Sequence, residues 1–211
     1  MGVRIDAGQL LRENVPPGFL KDLKDAIVEA YRYAEKVCAD RHFPEEVKNL
    51  LPFERRAAVQ KALKDVAIRH GLKYESAPAG YFWYVARVFV GNLVLDAAHV
   101  SSRLAMVRHS DYRETAAEGN QLVFEFMEQA KPLDGNLVYG IVLHGEDSAR
   151  PAELAFLDIA FPEHTMKAYA DHVDILAMFR NAVTIKPVAP VEAEDDLVKL
   201  KEQGKTGKKQ A

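Results

Sequence analysis

Hydrophobic and polar positions divide the chain into two helical segments, an apolar strand-rich middle and a polar tail. After Pro16-Pro17, apolar residues recur at Phe19, Leu20, Leu23, Ala26, Ile27, Ala30, Tyr31, Ala34, Val37 and Cys38. That spacing predicts an amphipathic helix, with Lys21, Asp25, Glu29 and Arg32 on its wet face. Proline suits the helix start, where its missing N–H breaks no intrahelical bond. A second helical pattern runs from Pro44 to His70. Leu51-Pro52 predicts a bend within it, because proline disfavours helical geometry in the residue before it. Phe53, Ala57, Val59, Leu63, Val66 and Ala67 form its expected inner face, and Gly71 its stop. His70, in the last turn, suits the helix dipole.

The middle changes period. Ser76 to Gly80 reads as a loop. Tyr81 to Val90 is rich in aromatic and β-branched residues and predicts a strand. Gly91-Asn92 predicts a tight turn, with Leu93 to Val100 as the returning strand. Trp83, inside the aromatic run, is expected in the core. Ser101 to Tyr112 has no clean period. Thr115 and Glu118 fit a capping box, and Leu122, Val123, Phe126, Met127 and Ala130 continue with helical spacing. Asp134-Gly135-Asn136 predicts a turn between that helix and a strand over Leu137 to His144. A further strand is expected over Leu154 to Phe161, and a last helix from Glu163 through Phe179. Beyond Lys186 an acidic cluster gives way to lysines and glycines, which reads as a mobile tail.

The predicted class is α+β. An N-terminal helical hairpin precedes two antiparallel β-hairpins, in the order ββαββ, forming one sheet. A C-terminal helix and the tail follow. The expected divisions are 1–75 for the helical region, 76–185 for the central domain with its helix, and 186–211 for the tail.

Composition narrows the function classes. The chain has 211 residues, enough for a core without disulfides or metals, and its formal charge of −3 argues against a basic surface over the whole protein. One cysteine, Cys38, excludes an intramolecular disulfide, and it sits on the first helix's apolar stripe as a core residue. The first thirteen residues lack the apolar core of a signal peptide, and no run is long enough to span a bilayer. The expectation is a soluble cytoplasmic protein that does not engage a membrane.

The chemistry-bearing motifs are few. No histidine pair or cysteine cluster has zinc spacing, so no metal or cofactor is expected. There is no Gly-rich phosphate loop and no nucleophile elbow. The acid-x-lysine element of one metal-dependent nuclease class is absent, since Glu153-Leu154-Ala155 supplies no lysine. What stands out is the segment with Arg103, Arg108, His109 and Arg113, three arginines and a histidine against the single acid Asp111. Guanidinium forks suit phosphates and carboxylates. The competing expectation is that these arginines pair with local acids such as Glu114 and Glu118, or cover the sheet edge. The sequence points to a non-catalytic binding or regulatory module with a protein partner. The alternative is nucleic-acid binding through Arg103–Arg113, and a second is a small hydrolase or nuclease using histidines and aspartates of the central domain. Convergence of Asp96, His99, His109 and His144 on one cleft would favour the enzyme.

Overall fold

The computed structural model describes residues 6–79, 83–126 and 137–180. Helix α2 (Phe19–Arg41) buries Phe19, Leu23, Ile27, Tyr31, Ala34 and Cys38, the stripe expected from its spacing. Helix α3 (Pro44–Arg69) packs against it after a two-residue turn. The expected bend does not divide α3, which runs through Pro52. The lost hydrogen bond is offset by burial on both sides, with Leu51 packed on Ala34 and Cys38, and Val59 and Leu63 in the main core. Phe53 faces outward. At the end of α3, Gly71 takes φ 65, its N–H reaches Ile68 and that of Leu72 reaches Ala67. This pair of reversed bonds is the glycine stop that the sequence predicts. A short helix α1 (Ala7–Asn14), capped by Asp6 on the Gln9 N–H, was not expected.

Six strands form one mixed sheet in sequential order. They are β1 (Lys73–Pro78), β2 (Tyr84–Val90), β3 (Leu93–His99), β4 (Val138–Asp147), β5 (Arg150–Pro162) and β6 (Tyr169–Asp174). The two expected hairpins are β2–β3 and β4–β5. They join through a parallel β3–β4 pairing that runs from Leu93↔Val138 to His99↔His144, with helix α4 (Asp111–Phe126) in the connection.

The expected loop at Ser76–Gly80 is replaced in part by β1. Its proline is tolerated because β1 is an edge strand. The expected last helix is also corrected. Met166 sits at φ 54, which no helix accommodates. Residues 169–174 instead pair with β5, and only α5 (Ile175–Arg180) is helical, with Asp174 accepting from the Ala177 N–H. Helix α4 starts four residues before the expected Thr115 cap, and the Ser110 carbonyl accepts from Arg113 and Glu114. The side chains expected on its apolar face, from Leu122 to Ala130, lie outside the described residues. So do the Asp134-Gly135-Asn136 turn, Tyr81-Phe82 and the tail beyond 186. Trp83 is corrected as well. It precedes β2, is 42% exposed and stacks on Phe53 with ring centroids 5.7 Å apart. The aromatic run thus divides between a rim and a core, since Val85 and Val88 below it are buried.

Strand alternation gives the sheet two unlike faces. Leu93, Leu95 and Ala97 join Val142, Leu157 and the residues of α2 and α3 in the larger core. Ala98, Tyr139, Ile141 and Phe156 pack on the other side with Ala117 of α4. Asp96 and Asp158 are fully buried on that second face. Among the described residues, no helix is long and apolar enough to cross a membrane.

Candidate functional site

The site begins with a gap in the sheet. Strands β2 and β3 pair only near their turn, at Val88↔Leu95, Phe89↔Val94 and Val90↔Leu93. The rest of β2 continues with β1, while the rest of β3 continues with β4. Gln60 of α3 fills part of the gap. Its side-chain oxygen accepts from the Ala86 N–H at 2.7 Å, and its amide donates to the Ala97 carbonyl at 3.0 Å. One side chain thus satisfies two edges that no longer meet.

Beside Gln60 the divergence opens into a cleft of about 480 Å³. Arg56, Arg108 and Arg113 line it, with His99, His109 and His144, and no carboxylate is among its described lining residues. It lies at the carboxyl ends of the parallel pair β3 and β4, where crossover loops gather side chains. Neither Arg56 nor Arg108 has a carboxylate partner among the described residues. Arg56 lies over the Trp83 ring at 4.3 Å from its centroid. Burial draws its guanidinium below the usual arginine range, and Arg113 adds to that pull.

Arg113 is the deepest of the three, at 9% exposed. Its Nε stands 3.5 Å from Asp96 Oδ2, and its Nη1 donates to the Arg108 carbonyl at a long 3.4 Å. Tyr112 donates to the same carboxylate oxygen at 3.0 Å. Burial drives the Asp96 carboxyl upward, against the opposing pull of Arg113, Tyr139 and Tyr112. Satisfaction is incomplete here. Asp96 Oδ1, Arg113 Nε and the Tyr139 hydroxyl are buried without a hydrogen-bond partner of good geometry, as is Ser110 Oγ on the cleft wall. Native proteins leave few such atoms, and a cluster of them calls for a reason.

The cleft's far wall is a second polar network. Tyr31 of α2 meets His144 Nδ1 at 2.7 Å. If the phenol donates to Nδ1, the neutral ring carries its own proton on Nε2. Burial, with His99 and Arg55 nearby, pushes the His144 pKa down to about 3, which keeps the ring neutral. His99 packs edge-on against it and binds Glu146 through Nε2. Buried Arg55 holds Glu146 at 3.1 Å and lies over the Tyr31 ring. Burial presses the Glu146 carboxyl upward, but His99 and Arg55 outweigh it and hold it below the usual range.

Of the four residues nominated from sequence, Arg108, His109 and Arg113 line this cleft. Arg103 does not. It grips Asp158 through two bonds, at 2.7 and 3.1 Å, and Asp174 at 2.5 Å. The competing expectation of acid pairing holds for Arg103, with Asp158 and Asp174, and for Arg113, with Asp96, though not through Glu114 or Glu118. Glu114 binds His109 Nε2 at 2.6 Å instead. His99, His109 and His144 do converge on one cleft, with Asp96 beneath the wall. Arg56, Gln60 and Trp83 were missed, because they reach the cleft from α3 and the β1–β2 connection. Donor atoms of exposed His109 and Asp111 and half-buried Glu114 lie within 4.8 Å of one another, an arrangement that also arises without any ion. The acid-x-lysine pattern is absent on β3 too, since Asp96 is followed by Ala97 and Ala98. Comparison with protein-family models, with curated proteins and with solved structures finds no match.

Proposed function

We propose that this chain is a nucleic-acid-binding protein that takes the phosphate backbone of a single strand into the cleft between β2 and β3. The observation that carries the reading is the cleft's charge. Three guanidiniums meet there beside His99, His109 and neutral His144, with no carboxylate among the described lining residues, in a chain whose formal charge is −3. An anion matched to Arg56, Arg108 and Arg113 relieves their mutual repulsion and supplies acceptors to open N–H donors. Exposed Trp83 lines the same mouth, with exposed Tyr84 next to it in sequence, and offers a ring on which a base stacks. An acidic protein segment is the competing ligand. It brings carboxylates but gives no account of the aromatic rim.

The test is a fluorescence-anisotropy titration with a labelled single-stranded oligonucleotide, an acidic peptide of equal charge serving as competitor. The oligonucleotide is expected to bind, with affinity falling steeply as salt rises. Arg56→Ala and Arg108→Ala are each expected to weaken it. Preference for the acidic peptide would transfer the site to a protein partner.

A further inference from the structure

Two histidines of the cleft share one arrangement. His99 binds Glu146 through Nε2, and His109 binds Glu114 through Nε2 at 2.6 Å. In both rings the carboxylate occupies one nitrogen and leaves Nδ1 for a ligand. The two come from different elements, His99 from the end of β3 and His109 from the segment before α4, yet both line the same 480 Å³ cleft. Arg56, Arg108 and Arg113 line it with them, as does His144.

A pair of carboxylate-oriented histidines beside a phosphate-binding group of arginines is the equipment for moving two protons across a phosphodiester. Resting on the binding reading above, we infer that the cleft cleaves single-stranded RNA without a metal ion, with His99 and His109 as the acid–base pair. One histidine takes the proton of the ribose 2′-hydroxyl as O2′ forms its bond to phosphorus. The P–O5′ bond breaks, and the other histidine, as imidazolium, gives its proton to the departing O5′. The products are a 2′,3′-cyclic phosphate and a 5′-hydroxyl. One proton is taken and one is given, and no electron changes hands. Arg56, Arg108 and Arg113 oppose the charge that grows on the phosphoryl oxygens. RNA is the substrate because its 2′-hydroxyl is a nucleophile already in place. That proximity replaces the water-activating metal which DNA hydrolysis ordinarily uses.

The experiment uses the full chain, excess EDTA and two labelled strands of one sequence, unmodified RNA and its fully 2′-O-methylated form. The RNA should be cut to fragments ending in 2′,3′-cyclic phosphate, identified by mass, with a bell-shaped dependence on pH. The methylated strand should bind uncut. His99→Gln and His109→Gln should each lower the cleavage rate by about 100-fold or more. Both should melt near the parent, and binding of the methylated strand should fall far less than the cleavage rate does. If either unfolds, the corresponding His→Asn variant takes its place. A methylated strand that binds while RNA stays intact overturns the cleavage inference and leaves the binding reading standing. A methylated strand that fails to bind overturns the binding reading itself. Cleavage that EDTA abolishes, or that survives both histidine changes, overturns the assignment of these two side chains.

Discussion

Two buried carboxylates lie on the same face of the sheet, and each is answered by an arginine, Arg103 from the stretch between β3 and α4 and Arg113 from the first turn of α4. Their fates differ. Asp158 is met by Arg103 in a two-bond fork at 2.7 and 3.1 Å, and the same guanidinium also binds Asp174. Asp96 is met by Arg113 at 3.5 Å, with Arg113 Nε and one carboxylate oxygen left without a good partner. The first pair is saturated and pins an irregular loop to β5. The second is loose, opens onto a cleft and leaves donors for something else. Charge in a segment therefore says little by itself. The geometry of the answering carboxylate decides whether an arginine is a staple or a binding group.

The largest effect that separates the two pairs is on folding. Arg103→Ala leaves Asp158 buried and unanswered, a situation that costs about 3–5 kcal/mol. We expect a large drop in melting temperature, partly restored by adding Asp158→Asn. Thermal unfolding of the single and double variants checks it, and a single variant as stable as the parent would erase the distinction.

Arg113→Ala should behave differently. Burial already raises the Asp96 carboxyl, so it can take up a proton when its partner goes. Binding should fall at least tenfold, a loss of about 1.4 kcal/mol or more. The fall in melting temperature should be smaller than for Arg103→Ala, and smaller at pH 5 than at pH 8. Anisotropy and melting curves together measure both arms.

These contrasts also mark what the sequence made legible. The stripe of α2, both hairpins and the β3–α4–β4 order follow from local periodicity. Strands β1 and β6 do not, because an edge strand's identity comes from the neighbour it pairs with. The apolar positions Tyr169, Ala170 and Val173 satisfy a helical reading as well as a strand. For the site, clustering of charge nominated Arg108, His109 and Arg113, which line one cleft, but it could not separate Arg103 from them. The carboxylates that decide the matter, Asp96 and Asp158, are 62 positions apart on different strands. Arg56 and Gln60 carried no signal of their own, and the aromatic run around Trp83 read as core. Each matters only because β2 leaves β3.

A third effect comes from the wall opposite Arg113. His144 is neutral when folded, with a pKa near 3 against an ordinary value of 6.5. Between these values the unfolded chain binds the extra proton, so stability falls as pH drops below about 6.5 and stops falling on this account near 3. The slope approaches about 1.4 kcal/mol per pH unit for one proton. His144→Gln should flatten that part of the curve, as urea unfolding across the acid range will show.

The smallest effect on stability belongs to Trp83. At 42% exposed it fills no core, so Trp83→Ala should lower stability by about 1 kcal/mol or less. It should weaken binding of a single strand by about 1–3 kcal/mol through lost base stacking. A variant that fails to fold would return Trp83 to the core.

The most direct test of the central claim is an NMR titration of the arginine Nε–H resonances, assigned from the Arg103→Lys and Arg113→Lys variants. On adding a 2′-O-methylated single strand, the Arg113 Nε–H signal should shift and the Arg103 signal should stay in place. A shift at Arg103 with none at Arg113 would contradict the account.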